Sequence, residues 1–438
     1  MEAEAREVVR CLQEKGHVTY YAGGCVRDRL RGVCPKDYDI ATSATPAVVQ
    51  SLFPKSDAVG AHFGVVIVRI RGEMIEVATF REDGDYGDGR RPDEITFSTP
   101  KRDAFRRDFT INGLFYDPIE NQLHDYVGGQ KDLESGQLRC IGDPLERFEE
   151  DYLRLLRAIR FATLLEFEIE TETWDAIQKV APRILQIAPE RIQAELNRIW
   201  LSPNRVRGFD LLFESGIMEL VLPEMIDLQD CEQPPQWHPE GDVFVHTRLM
   251  LSLLESDASL ALVWSVLLHD IAKPATQTVD EAGGRIRFNG HDKLGARMAE
   301  NILTRLRYSN AIIDAVVSAV SSHMQFKDVR KMRVSTLKRF MARETFEDEL
   351  ELHRVDCLGS NGILDNYEFL IEKTEEFAAE PILPPPFLNG GDLIERNLDP
   401  GPNFKDILTE AQDMQLEGKL TSREEALAWL DKRVGPTG

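Results

Sequence analysis

The sequence predicts an α+β protein: an N-terminal mixed α/β head with a small β-sheet, followed by all-helical segments. Three observations carry this. Short β-rich runs broken by glycine turns crowd into residues 1–140. From about 141 to 380 apolar residues recur at helical spacing, as in Tyr152-Leu153, Leu155-Leu156, Ile159 and Phe161. Proline-rich joints at 233–239 and 381–386 then punctuate the helical part. The expected divisions are a head at 1–140, a helical neck and body at 141–230, a histidine-bearing helical domain at 240–365 and a helical tail at 381–438.

Within the head, residues 1–16 fit an amphipathic helix and 18–22 a strand that runs into Gly23-Gly24. A helix is expected from Val26 to Leu30, and residues 38–42 read as a second strand. Thr45-Pro46 has the form of a helix start, with Thr45 as cap and Pro46 in the first turn. Runs 64–70 and 74–80 flank Arg71-Gly72 as a hairpin, and the polar, glycine-rich stretch 82–94 is expected to be a mobile loop.

The chain has 438 residues, enough for two to four domains, and is 42% hydrophobic, enough for real cores. No run of about 18 apolar residues occurs, so no membrane span is expected. The acidic, helical start does not resemble a secretion signal. Six scattered cysteines without metal-binding spacing read as reduced thiols of a cytoplasmic protein. A formal charge of −23 argues against adhesion to DNA or anionic membranes, yet leaves room for RNA in a local basic groove.

Asp37 and Asp39 are the most informative residues. On a strand, side chains two apart share a face, so these carboxylates repel unless a cation sits between them. A divalent metal bridging to nucleotide phosphates is the usual reason for such a pair. Upstream, Gly23-Gly24 with Arg27 lets backbone approach a phosphate. Glu76, on the hairpin, is either a third metal carboxylate or an exposed strand residue. Arg106-Arg107-Asp108 and Asn112 read as a turn opening a helix, with guanidinium forks for phosphate and Asp108 free to accept from a ribose hydroxyl; a solvated charge cluster is the alternative. Asp151, Arg154 and Arg157 are three apart, so on a helix they share a face. An Asp–Arg couple there is either an ion pair or a reader of the Watson–Crick edge of a base.

In their order, Gly-Gly-x-Val-Arg-Asp, Asp-x-Asp, Thr79-Phe80-Arg81, Arg-Arg-Asp-x-x-x-Asn, Glu150-Asp151-x-x-Arg154 and Glu190-Arg191-Ile192-x-x-Glu195 resemble the bacterial class II tRNA nucleotidyltransferase and poly(A) polymerase family over about residues 18–230. The resemblance implies Mg²⁺ on Asp37 and Asp39. It places triphosphate and ribose on Arg107, Asp108 and Asn112, and has Asp151 and Arg154 select CTP and then ATP. Glu190 to Glu195 would buttress the neck. The implied partner is tRNA. The segment from Arg81 to Phe97 resembles the loop of members that add the terminal A, and no long basic extension of the poly(A) type is present. CCA addition therefore ranks first, A addition second and poly(A) synthesis third.

Further on, His246, His269-Asp270 and Asp356 resemble the metal-dependent HD phosphohydrolase superfamily over about 240–365, and His291 and His323 match the extra histidines of some members. Adjacent buried His and Asp cost free energy unless paired or bound to a cation. The resemblance implies phosphatase and 2′,3′-cyclic phosphodiesterase activity with a divalent transition metal or Mg²⁺; the other reading is a decayed domain that binds tRNA. A phosphohydrolase whose N-terminal half only binds RNA is the competing function from another class. Lys327, Arg330, Lys331, Lys338 and Arg339, and a second group of Arg198, Arg205 and Arg207, are either phosphate contacts or solvated helix faces. Oligomeric state has no signature in the sequence.

Overall fold

The computed structural model describes residues 1–57, 64–83, 95–280, 285–378 and 381–434. It divides into two compact units, Met1–Ile226 and Asp227–Gly438. Among the described residues no helix is long and apolar enough to cross a membrane.

The first unit opens with helix α1 (Glu2–Glu14), whose Ala5, Val8, Val9 and Leu12 are fully buried at helical spacing. Strands β1 (Thr19–Ala22), β2 (Asp39–Thr42), β3 (Ser56–Asp57), β4 (Val65–Ile70) and β5 (Glu73–Thr79) follow, with α2 (Gly24–Leu30) and α3 (Pro46–Leu52) between them. Next come the short pair β6 (Arg81–Asp83) and β7 (Ile95–Phe97), then α4 (Pro100–Phe105), β8 (Leu114–Asp117) and β9 (Gln122–Asp125). The main sheet has the order β3-β4-β5-β2-β1-β8-β9. Its β2–β5 pairing is parallel and sets Asp39 directly beside Glu76.

Strand alternation gives the sheet two apolar faces. Tyr21, Ile40, Val66 and Val77 pack with α1 on one side. Ala22, Ala41, Phe80 and Phe115 form a smaller cluster on the other, the side of Asp39 and Glu76. Arg71 and Gly72 both take positive φ, 50° and 90°, and close the β4–β5 hairpin with a two-residue turn. Two expectations are corrected. Asp37 lies in a bend before β2, because the strand begins only at Asp39. Thr45 precedes α3 but makes no side-chain cap bond, leaving Pro46 as the start signal. The expected mobile loop falls mostly on 84–94, outside the described residues.

The rest of this unit is helical apart from β10 (Gln137–Leu138) and β11 (Glu168–Ile169). Helix α5 (Gly129–Ser135) leads to α6 (Pro144–Glu150), which is capped by Asp143 accepting from Leu145 and Glu146 N–H. Eleven of the 13 residues of α7 (Leu153–Leu165) are buried, which makes it the unit's central helix. It packs against α9 (Pro189–Trp200) and α10 (Arg205–Glu214), while α8 (Thr171–Val180) packs on α6. A buried ion pair, Arg160 Nε to Glu195 Oε2 at 2.5 Å, ties α7 to α9.

The second unit is built from helices Val243–Leu253, Leu260–Leu268, His291–Arg305, Asn310–Ser322, Val334–Met341, Phe346–Gly359 and Asp365–Phe377. A hairpin of Gln277–Val279 with Ile286–Phe288 interrupts them. Helices Gly390–Ile394, Pro402–Leu416 and Arg423–Val434 enclose a separate cluster that includes Leu393, Ile407, Ala426 and Leu430.

Gly208 shows how tightly the neck is packed. A Cβ there would lie 2.3 Å from Ile199 Cγ2 and 3.1 Å from Thr163 Oγ1. Gly208→Ala is expected to lower stability by about 1–3 kcal/mol through overpacking, read as a lower urea midpoint for the neck transition.

Candidate functional site

A cavity of about 580 Å³ lies in the first unit, bounded by the Asp39–Glu76 face of the sheet and by α7. Its lining holds Gly24, Arg27, Asp39, Glu76, Arg107, Asp108, Asn112, Asp151, Arg154 and Arg157. Asp37 is outside that lining, in the exposed bend that approaches it. Eight arginines and four carboxylates line the cavity, an inverted balance for a chain of net charge −23. Such a site suits a polyanion.

At the sheet wall, Asp39 and Glu76 are register neighbours on parallel strands. Desolvation inside the cleft raises the Asp39 carboxyl, Arg107 opposes this, and the Asp37 charge adds to it. Glu76 is raised by desolvation and by the Asp39 charge. The residual acidic repulsion is what a divalent cation relieves, so these residues fit one. Among the described residues, however, sets of three donors within 4.8 Å of one another occur only in the second unit.

The arginines beside this wall are held from behind. Arg107 donates to Asp103 Oδ2 at 3.1 and 3.2 Å and to the Asn112 carbonyl at 3.2 Å. Arg106 pairs with the other Asp103 oxygen at 2.8 Å. Burial works against the ionised Asp103, but the two guanidinium groups outweigh it and depress its pKa. Asp103 belongs to no quoted motif; its only sequence signal is the i,i+3 and i,i+4 spacing to Arg106 and Arg107. Arg27 Nη1 donates to Asn112 Oδ1 at 2.8 Å. At Gly23, φ is +69° and a Cβ would come 3.0 Å from Arg107 Nη1, so glycine there makes room for the guanidinium. The Arg-Arg-Asp segment trails α4 and precedes a 3₁₀ turn, Thr110–Asn112, rather than opening an α-helix.

Asp108 is not free to accept. Its Oδ2 takes Arg157 Nε at 2.8 Å and Nη2 at 2.5 Å, while Oδ1 takes Phe109 N–H and Asn112 Nδ2. Burial alone would raise this carboxyl, yet Arg157 and the Asn112 amide hold it well below the usual carboxylate range.

The expectation that Asp151 and Arg154 pair on one helix face is also corrected. Asp151 sits in extended backbone between α6 and α7, where it accepts from Leu153 N–H and, at 3.0 Å, from Arg191 on α9. Arg154 instead reaches Glu150 and the Arg147 and Arg106 carbonyls. Arg191, from the segment expected to buttress the neck, joins the cavity wall, as does Arg160, which belongs to no quoted motif.

In the second unit, His246, His269 and Asp356 form one close donor set, and Asp270, His291 and His323 another. His269, His291 and His323 hold Nδ1 on the carbonyls of Val266, Phe288 and Val320 at 2.9, 2.7 and 2.6 Å. With Nδ1 carrying the proton, their Nε2 atoms present lone pairs. His291 Nε2 and His323 Nε2 face each other at 3.1 Å, and His269 Nε2 lies buried 3.0 Å from Asp270 Oδ2. Opposed lone pairs beside the buried Asp270 carboxylate fit a divalent cation. A cavity of about 780 Å³ opens over Asp270, His291, His323 and Asp356. Lys273 enters it too, 2.6 Å from both Asp270 Oδ2 and Gln233 Oε1.

Of the expected RNA contacts, Lys327 lines this second cavity. The other four have partners within the chain: Arg330 the Asp365 carbonyl, Lys331 Asp328, Lys338 the Phe377 ring and Arg339 Asp413 with Gln412. Arg205, only 1% exposed, donates to the Trp200 and Ser202 carbonyls, so it is a core residue rather than a surface contact. Arg207 pairs with Glu168 at 2.8 Å and Arg198 with Glu195 at 3.7 Å.

A sheet that sets acidic side chains under an arginine-lined cleft, with a helical neck closing it, defines a nucleotidyltransferase. Residues 19–139 match the poly A polymerase head domain, 166–228 the probable RNA and SrmB-binding site of polymerase A, and 243–353 the HD domain. The chain is 41% identical over 429 residues to a CCA-adding enzyme of Bacillus pumilus, covering 97% of this chain and 95% of that relative. It is 31% identical to an A-adding tRNA nucleotidyltransferase of Deinococcus radiodurans, covering 94% of each. The crystal structure of the Bacillus stearothermophilus CCA-adding enzyme in complex with CTP superposes with a TM-score of 0.77 at 25% identity, over 98% of this chain and 97% of that one. The chain belongs to the family of CCA-adding enzymes and related tRNA nucleotidyltransferases.

The Asp108–Arg157 clamp has a pH signature. A carboxyl depressed by folding contributes stability that is present above its unfolded value of about 3.9 and is lost as pH falls toward the folded value. Unfolding midpoints measured between neutral pH and about pH 2 should fall on acidification, and Asp108→Asn should flatten that part of the curve.

Proposed function

We propose that this protein completes the 3′ end of tRNA with CCA, taking CTP and then ATP, with protein side chains in place of a nucleic-acid template. The observation that carries this reading is the single arginine-rich cavity that joins Asp39 and Glu76 on one wall to Asp151 and Arg154 on another. Gly24, Arg27 and Arg107 hold the triphosphate, and Asn112, fixed by Asp108 and Arg27, meets the ribose. Asp151 and Arg154, each steadied by its own neighbours, read the base edge. Mg²⁺ on Asp37 and Asp39, with Glu76 beside them, would activate the attacking hydroxyl and offset charge on the phosphates. The tRNA 3′-hydroxyl attacks the α-phosphorus in line, the bond to the β-phosphate oxygen breaks, and pyrophosphate leaves.

In the second unit, His246, His269, Asp270 and Asp356 hold a divalent transition metal or Mg²⁺ for phosphatase or 2′,3′-cyclic phosphodiesterase chemistry. The four-part division into head, neck and body, HD domain and tail accompanies this reading. So do the cytoplasmic setting of the six unpaired cysteines and a role for Lys327 toward RNA phosphate.

The test uses tRNA lacking its last three nucleotides, Mg²⁺ and labelled CTP and ATP. Two cytidines are expected with CTP alone and a full CCA with both nucleotides. Activity confined to tRNA already ending in CC would place the protein with A-adding enzymes, and no incorporation on any of these substrates would end the nucleotidyl-transfer reading. Asp39→Asn should reduce incorporation by roughly 10³-fold or more and leave any phosphatase activity unchanged. A chelator should abolish both activities, with incorporation recovering on added Mg²⁺.

A further inference from the structure

Four buried histidines converge on the HD site, and three of them orient Nδ1 with a backbone carbonyl. His246 differs. Its Nδ1 lies 2.7 Å from Glu240 Oε1 and, more distantly, 3.3 Å from the Gly359 carbonyl. Glu240 comes from the chain just ahead of helix Val243–Leu253, not from the helices that carry the other metal-facing groups. The same Oε1 also takes His238 Nδ1 at 2.9 Å. Its second oxygen, Oε2, is buried without a hydrogen-bond partner.

The local backbone is built to hold this carboxylate. Asp242 caps the helix by accepting from Val245 N–H at 2.8 Å and also accepts from Asp230 N–H at 3.0 Å, which pins the segment at one end. Gly241, between the two acids, has φ of +132°, a conformation that other residues rarely adopt. The reversal turns Glu240 inward beneath His246.

We infer that Glu240 is a positioning residue of the HD metal site: its carboxylate accepts the His246 Nδ1 proton and aims Nε2 at the cation shared with His269 and Asp356. A carboxylate behind a metal-bound imidazole fixes the tautomer and makes the ligand more basic than a carbonyl does. His246 is thus the imidazole with the strongest donor character in the cluster. His238, on the same oxygen, limits how far Glu240 can swing. This rests on the proposed metal site, and the experiment separates the two.

The full-length protein is titrated with Co²⁺ alone, following the d–d absorption and the heat of binding. The relevant signal is the part that His246→Ala removes. Glu240→Ala should weaken that binding by about 10–100-fold and alter the band. Glu240→Gln, which keeps an acceptor oxygen but loses the charge, should fall between wild type and alanine. Nucleotide incorporation by the first unit should be unchanged in both variants, and unchanged far-UV circular dichroism reports that the second unit is folded. Wild-type protein without a His246-dependent Co²⁺ signal would overturn the metal site itself. A His246-dependent signal of equal affinity in wild type and Glu240→Ala would overturn the role of Glu240 alone. Glu240→Gln binding with wild-type affinity while Glu240→Ala is weakened would reduce Glu240 to a packing residue and overturn the inference as well.

Discussion

Crowded guanidinium groups repel one another, and the cleft exists because most of them are braced by an acid. Asp103 spreads its two oxygens between Arg106 and Arg107, Asp108 clamps Arg157, Glu150 holds Arg154 and Glu195 holds Arg160. These acids are mostly buried, so their attraction to arginine is weakly screened and the forks keep a fixed direction. The chain thereby presents concentrated positive charge in one cavity while remaining strongly acidic as a whole. Selectivity for a polyanion in that cavity follows from the contrast more than from total charge.

The second unit solves the opposite problem. There the buried groups are acceptors: imidazole lone pairs and carboxylates that face one another at short range. Backbone carbonyls hold the outward nitrogen of three rings and Glu240 that of His246, so the inward nitrogens are left as a donor set that fits a cation. In both units, the residues that meet the ligand are few, and a second layer decides where they point.

Much of the head was readable because its chemistry is local in sequence. The hairpin at Arg71-Gly72 needs only two turn residues, and the Gly-Gly step needs only room and a positive φ. Asp39 and Glu76 carry the polar signature of a site against β-rich surroundings. Other readings failed where a partner is far away in sequence. Asp151 and Arg154 have ideal spacing for a helical pair, but helix α7 starts after Asp151, and Arg191, 40 residues on, takes the carboxylate. Asp108 looked free because Arg157 is 49 residues distant. Arg330, Lys338 and Arg339 looked exposed because their partners lie on other helices.

The sequence by itself determined the order of the parts and much of the chemical inventory of each site, since motif spacing and residue type act over a few positions. Only the tertiary structure decided which acid pairs with which arginine. It alone put Asp37 before the strand rather than on it, and it alone brought Glu240 under His246. Those outcomes depend on where separate segments of chain cross, and pairing energies between charges fall off with a distance that sequence separation does not measure.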